Sequence, residues 1–361
     1  MTTPRQTWVR QFQIRLIVAA FILVSSVAGC ATASPPATGG TGPEASQPPA
    51  DASDRQDGRL NVASTVSPIT NIVHNVGGDR IRLAGIVPEG VNSHTFEPAP
   101  GDARQLAVAD IIFVNGLNLE LPTIKLAEAN LKPGAEIVTL ADKTIARDQW
   151  VFDFSFPQER GDPNPHLWLN PMHALRYAEI VRDTLSDRDP GNAGYYAENY
   201  GQFKARIEAL DQAIQASINA IPADNRQLVT YHDSFAYFAP RYGMTVIAAI
   251  QPSDFSEPSP REVAGIIQQL REVGVPAIFG SEVFPSPVLD QIGKEADIQF
   301  VDTLRDDDLP GRPGDREHSY IGMMVEDVRI MARALGGDPS PLDEVDPSNV
   351  PGTDSDVDQA Q

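Results

Sequence analysis

The chain has 361 residues, a formal net charge of −21 and a single cysteine, Cys30. So acidic a surface disfavours nucleic acid and anionic lipid as partners, and one thiol excludes an internal disulfide framework, a thiolate zinc knot and a CxxC redox site. Acidity also draws cations toward the surface, but salt screens that attraction, and by itself it identifies no ligand.

In chain order, the first feature is a secretory signal over residues 1–29. Arg5, Arg10 and Arg15 precede an apolar run from Leu16 to Val24, and small residues lead up to Cys30. The run is too short to span a bilayer as a mature helix. Val27-Ala28-Gly29-Cys30 also resembles the lipobox of bacterial lipoproteins. That resemblance implies cleavage before Cys30, acylation of its sulfur, and an extracytoplasmic chain anchored to the bacterial cell membrane. Residues 30–58 are rich in Pro, Gly, Ser and Ala and form a flexible spacer with no means of burying a core.

Alternating strand and helix patterns follow. Leu60 to Thr65, Ile81 to Val87, Ile111 to Asn115 and Glu136 to Leu140 read as strands, with helical periods between them and a further helix after Pro171. The second half repeats the scheme, with strands at Leu228 to Tyr231, Thr245 to Ile250, Ala277 to Phe279 and Ile298 to Val301. Repeated strand then helix predicts an α/β fold of two lobes, each a parallel-type sheet flanked by helices. Tyr196, Tyr200, Phe203, Ile207, Leu210, Ile214, Ile218 and Ile221 recur at helical spacing between the halves. They predict one long rigid helix of about 45 Å joining the lobes. The expected organisation is therefore an N-terminal lobe over 59–190, a connecting helix over 191–222, a C-terminal lobe over 223–336 and a disordered acidic tail over 337–361.

Three of the six histidines fall where such sheets place ligands, in loops after strands or before a helix. These are His94, His166 and His232, and the strand ending at Val301 is followed directly by Asp302. Three imidazoles and one carboxylate suit Zn²⁺ and would also hold Mn²⁺. Spacing alone does not single them out, because a lone strand-end histidine is more often a core or capping residue. His74, His173 and His318 take such ordinary readings: a surface or boundary position, a solvent-facing side chain and a place near the cleft rim. Asp306, Asp307 and Asp308 read as a solvated loop, and Glu282 as an acceptor behind the ligands or a solvated loop acid.

The local wording is more specific. His94-Thr95-Phe96-Glu97-Pro98, Pro165-His166-Leu167-Trp168-Leu169-Asn170-Pro171 and His232-Asp233-Ser234-Phe235 resemble the ligand segments of the receptors of zinc/manganese ABC importers, the cluster 9 solute-binding proteins. Ser319-Tyr320-Ile321-Gly322-Met323-Met324 extends the likeness, which covers roughly residues 60 to 336. The resemblance implies a metal between two lobes, held by His94, His166, His232 and Asp302; Asn164, Asp233 and Glu282 are candidates for places behind these ligands. It further implies a monomer that delivers Zn²⁺, or alternatively Mn²⁺, to an ABC permease with its ATPase. Asn164 departs from the family's usual Asp, which bears on the basicity of the neighbouring histidine. No histidine lies between Ala146 and Pro165, so a histidine-rich gathering loop is absent. Four protein ligands would close the shell, and no HExxH or GxSxG element occurs, which argues against an enzyme. A surface adhesin is the alternative from another class. With imidazoles at their ordinary pKa near 6.5, binding is expected to weaken below about pH 6.

Overall fold

The computed structural model describes residues 57–350 and the two-residue strand Asp358–Gln359, apart from the side chains of Asp302, Thr303, Asp358 and Gln359. The signal segment, Cys30 and the spacer up to residue 56 lie outside the described residues.

The first lobe runs β1 (Leu60–Ser64), α1 (Ser67–Gly77), β2 (Ile81–Gly85), α2 (Pro100–Val108), β3 (Ile111–Val114), α3 (Leu121–Asn130), β4 (Glu136–Thr139) and α4 (Pro171–Arg188). Helix α5 (Ala193–Asn219) leads to β5 (Gln227–Thr230), α6 (Phe238–Tyr242), β6 (Thr245–Ala249), α7 (Pro260–Val273) and β7 (Ala277–Ser281). Then come α8 (Pro287–Ala296), β8 (Gln299–Leu304), α9 (Tyr320–Ala334) and β9 (Asp358–Gln359). Both sheets are parallel, ordered β4-β3-β1-β2-β9 and β6-β5-β7-β8. This is the two-lobed α/β architecture that the alternating pattern predicts.

Strand period sorts the core. Val62, Ile111 and Phe113 face one way from the first sheet and Leu228, Ala277 and Phe279 one way from the second; all six belong to a single apolar cluster. Their neighbours Ala63, Ile112 and Val114 pack outward under α2 and α3, while Val229 and Ile278 pack outward under α7 and α8. Helix α5 runs through the shared cluster, with Tyr196, Phe203, Ile207, Leu210, Ile214 and Ile218 wholly buried. At 27 residues it is about 40 Å long. The lobes share a core along this helix, so their relative opening would tear apolar contacts on both sides of it.

The C-terminal segment departs from expectation. Residues 337–350 are ordered against the body and do not form a disordered tail. Leu342 and Val350 are buried, and Ser340–Glu344 forms a 3₁₀ turn packed on α5. Asn349 Oδ1 accepts from the side-chain amides of Asn71 and Asn75 at 3.1 and 2.9 Å, and the Val350 N–H donates to Asn75 Oδ1 at 2.8 Å. The acidic, proline-rich composition concealed these two apolar anchors and their asparagine partners on α1. His74, expected at the surface, is also buried on α1.

Gly322, in the first turn of α9, lies where a Cβ would come within 2.0 Å of the Glu317 carbonyl oxygen. Backbone cannot yield as a side chain can. Gly322→Ala is expected to lower stability by about 1–3 kcal/mol, read as a lower urea midpoint with an unchanged slope.

Candidate metal centre

The site lies at the carboxyl ends of the strands, where each sheet reverses its order, between β1 and β3 and between β5 and β7. His94 comes from the loop after β2, where its N–H donates to Asn92 Oδ1 at 2.8 Å. His166 stands at the start of the 3₁₀ turn Leu167–Leu169, which Asn170 then ends by capping α4. Met172 N–H donates to Asn170 Oδ1 at 3.0 Å, a role that needs only an acceptor oxygen. His232 stands two residues after β5, its carbonyl held by the Thr230 hydroxyl at 2.6 Å.

The three rings converge. His94 Nε2 and His232 Nε2 each lie 3.1 Å from His166 Nε2. The tautomers follow from the outer partners. His166 Nδ1 faces Asn164 Oδ1 at 2.8 Å, and the Asn164 amide nitrogen points at the Asp233 carbonyl at 2.8 Å, so the oxygen is oriented toward the ring. His232 Nδ1 faces Gln251 Oε1 at 2.7 Å, while Gln251 Nε2 faces the Phe255 carbonyl at 3.3 Å. Both rings therefore carry hydrogen on Nδ1 and turn an Nε2 lone pair inward.

Among the described side chains, Asp306 brings a carboxylate to these nitrogens. Its Oδ2 lies 3.3 Å from His232 Nε2 and 3.8 Å from His166 Nε2. Both carboxylate oxygens are buried with no hydrogen-bond partner. The reading of Asp302 needs revision on position: β8 does not end at Val301 but continues to Leu304, so Asp302 lies within the strand and its side chain is outside the described residues. The solvated-loop reading of Asp306, Asp307 and Asp308 is also corrected. Asp306 and Asp307 are buried. Glu282 organises this turn, its Oε1 accepting the N–H groups of Asp306, Asp307 and Asp308 at 2.7, 2.9 and 3.2 Å. Asp307 accepts from Ser93 N–H and Oγ, both at 3.0 Å, and Asp308 accepts the Gly90 N–H, so the turn after β8 is tied to the His94 loop.

A tetrahedral ion with ligand bonds of 2.0–2.1 Å has ligand–ligand edges of about 3.3 Å. The two Nε2 separations and the His232–Asp306 distance lie close to that value. An array of lone pairs and unpaired carboxylate oxygens in a buried space is unfavourable unless a cation joins them. The donor set thus fits a divalent transition metal.

Aromatic rings enclose the cluster. Phe255 stacks on His94 with centroids 4.5 Å apart, Phe284 stacks on His232 at 4.8 Å, and Trp168 lies 5.1 Å from His166 while donating to the Asp306 carbonyl at 2.8 Å. Asp233 does not reach the rings. Its carboxylate accepts the Ser155 N–H at 2.9 Å beside Asp153, and its contribution passes through the carbonyl that orients Asn164. His173, expected in solvent, is partly covered by Tyr237. His318 Nε2 sits 3.5 Å from Glu89.

Sequence reasoning missed Gln251, Asn115 and Glu120. Asn115 Nδ2 donates to the Pro165 carbonyl just before His166, and Glu120 accepts Asn115 N–H and the Thr65 hydroxyl. Asn115 and Gln251 each stand close after a strand, which is the one signal they carried.

This geometry, two α/β lobes around a rigid helix with three converging imidazoles between them, defines a metal-binding solute receptor. The family model described as "Zinc-uptake complex component A periplasmic" matches residues 62–334, and the chain belongs to that family. The metal ABC transporter substrate-binding lipoprotein FimA of Streptococcus parasanguinis is 27% identical over 278 residues, covering 77% of this chain and 90% of that protein. The manganese ABC transporter substrate-binding lipoprotein PsaA of Streptococcus pneumoniae is 28% identical over 282 residues, covering 77% and 89%. Among solved structures, the periplasmic zinc-binding protein TroA of Treponema pallidum matches with a TM-score of 0.70 at 26% identity, over 77% of this chain and 99% of that one. The Mn-bound periplasmic metal-binding protein of Candidatus Liberibacter asiaticus matches with a TM-score of 0.67 at 25% identity, over 76% and 98%. The protein is the extracytoplasmic metal-binding component of an ABC importer, a receptor and not an enzyme.

Burial changes the expected acid response. It holds the His232 pKa down to about 4, and it pushes His94 and His166 well below 6.5, helped by the neighbouring rings. Proton competition at His232 therefore sets in toward about pH 4, and not near pH 6. Asp306 moves the other way: burial first, then the nearby Glu282 and Asp307 charges, raise its pKa well above 3.8. A cation therefore competes with a proton for this carboxyl group. Calorimetry in two buffers of different ionisation enthalpy, repeated across a pH series, should show proton release on metal binding that grows toward acid pH, and Asp306→Asn should diminish it.

Proposed function

We propose that the chain captures Zn²⁺ through His94, His166, His232 and Asp306 and delivers it to a membrane permease driven by its ATPase. The observation that carries this reading is the Asp306 carboxylate, buried without a partner and facing converging imidazole nitrogens. Three imidazoles and one carboxylate match a closed zinc shell. The −1 charge of that shell leaves only +1 to be compensated in a site walled by aromatic rings.

Mn²⁺ is the second reading, favoured by PsaA, which is named a manganese receptor. The adhesin reading has no comparable support, since the relatives named above are transporter lipoproteins. Lipid attachment at Cys30 would keep the receptor, a monomer, beside its permease. Among the described residues no helix is long and apolar enough to cross a membrane.

Metal-stripped protein should be titrated with Zn²⁺ and Mn²⁺, singly and in competition. One Zn²⁺ per chain, resisting excess Mn²⁺, is the expected result, and Mn²⁺ holding against comparable Zn²⁺ would move the assignment to manganese. Asp306→Ala should weaken binding by at least about 100-fold, beyond the 10- to 100-fold typical of losing a residue behind a ligand. Full affinity in Asp306→Ala would rule out this ligand set.

A further inference from the structure

We infer that Gln251 is a positioning residue coupling the ligand His232 to an aromatic gate, Phe255, so that one amide governs both the strength of metal binding and the rate of exchange. The inference rests on the metal-site reading above.

Gln251 is 2% exposed and stands two residues beyond the end of β6. Its backbone is held on both sides, its N–H donating to the Tyr231 carbonyl at 2.9 Å and its carbonyl accepting from the Ser155 hydroxyl at 2.7 Å. The side chain then has two separate tasks. Its oxygen accepts from His232 Nδ1 at 2.7 Å, which leaves Nε2 aprotic toward the other rings. Its nitrogen donates to the Phe255 carbonyl at 3.3 Å.

Phe255 is one of four non-glycine residues with positive φ among the described residues, at +59°. That left-handed conformation is uncommon for a bulky side chain and needs support from its surroundings. The conformation lays the ring on His94, with centroids 4.5 Å apart and planes 24° from parallel. Phe255, His94, Phe156, Arg160 and Ser253 line the same cavity, and His94 is the partly exposed member of the three histidines. Across it, Arg160 from the first lobe donates to the Ser253 carbonyl at 2.7 Å. Phe255 thus covers the partly exposed histidine, and the bond from Gln251 holds it there. The shared core resists opening of the lobes, so movement of this short segment is the less costly route for an ion.

The two tasks separate by substitution. Gln251→Ala removes both and should lower Zn²⁺ affinity by about 10- to 100-fold. Gln251→Glu keeps an acceptor for His232 but lacks the donor for Phe255. It should recover most of the lost affinity while Zn²⁺ release into a chelator, followed by stopped flow, stays about tenfold faster than wild type, the worth of one ordinary hydrogen bond. Phe255→Ala should speed release by a similar factor, and it tests the gate even where Gln251→Ala folds poorly. Affinity in Gln251→Glu as low as in Gln251→Ala would overturn the positioning role. Wild-type release rates in both Gln251→Glu and Phe255→Ala would overturn the gate. A wild-type chain that binds neither Zn²⁺ nor Mn²⁺ would remove the site itself, and that failure is distinct from the other two.

Discussion

Imidazole nitrogens that present bare lone pairs to one another repel, and a buried carboxylate beside them adds to the repulsion. The structure holds His166 and His232 in that arrangement, with His94 and Asp306 beside them, and much of what surrounds them serves to keep it. Asn164 and Gln251 take the outer nitrogens of two rings and so set the direction of the inner lone pairs. Glu282 gathers three successive N–H groups and with them the turn that carries Asp306. Burial makes protonation costly for the rings, leaving a cation as the partner that relieves the site.

Stiffness in the rest of the molecule follows from the same need. Pre-organised ligands bind tightly only if the scaffold does not relax when the ion is absent. The shared apolar cluster along α5, with six wholly buried large side chains from that helix, supplies such a scaffold. Asp307 and Asp308 fasten the turn after β8 to the His94 loop, so ligands from the two lobes are tied by hydrogen bonds as well as through the core. The segment carrying Phe255 contrasts with this, since it holds a strained residue lining the cavity beside His94.

Asn164 shows why a departure from the family's usual residue need not abolish ligation. A carboxylate there would draw the Nδ1 proton and make the ring a stronger donor to metal. The amide oxygen still accepts that proton at 2.8 Å, and the amide nitrogen adds a bond to the Asp233 carbonyl that a carboxylate has no hydrogen to make. The tautomer is preserved and the position of the loop is secured, while the electronic reinforcement is smaller.

Much of this protein was determined locally and was legible as such. Strand alternation, the three- and four-residue spacing of α5 and the short segments around His94, His166 and His232 each depend on residues adjacent in the chain, so the two-lobed fold and the three imidazoles could be read directly. The approach of Asp306 to those imidazoles could not. Asp302, Asp306, Asp307 and Asp308 are equivalent by proximity to a strand end. That Asp306 faces the histidines depends on Glu282, more than 20 residues earlier, capturing the turn after β8. Gln251 was hidden for the same reason, because its partner His232 comes from another strand. Leu342 and Val350 looked like parts of an acidic tail until α1 and α5 supplied surfaces for them. Periodicity and capping are short-range properties that a sequence displays. Pairings between distant loops exist only after the chain has packed, and tertiary structure alone decided them.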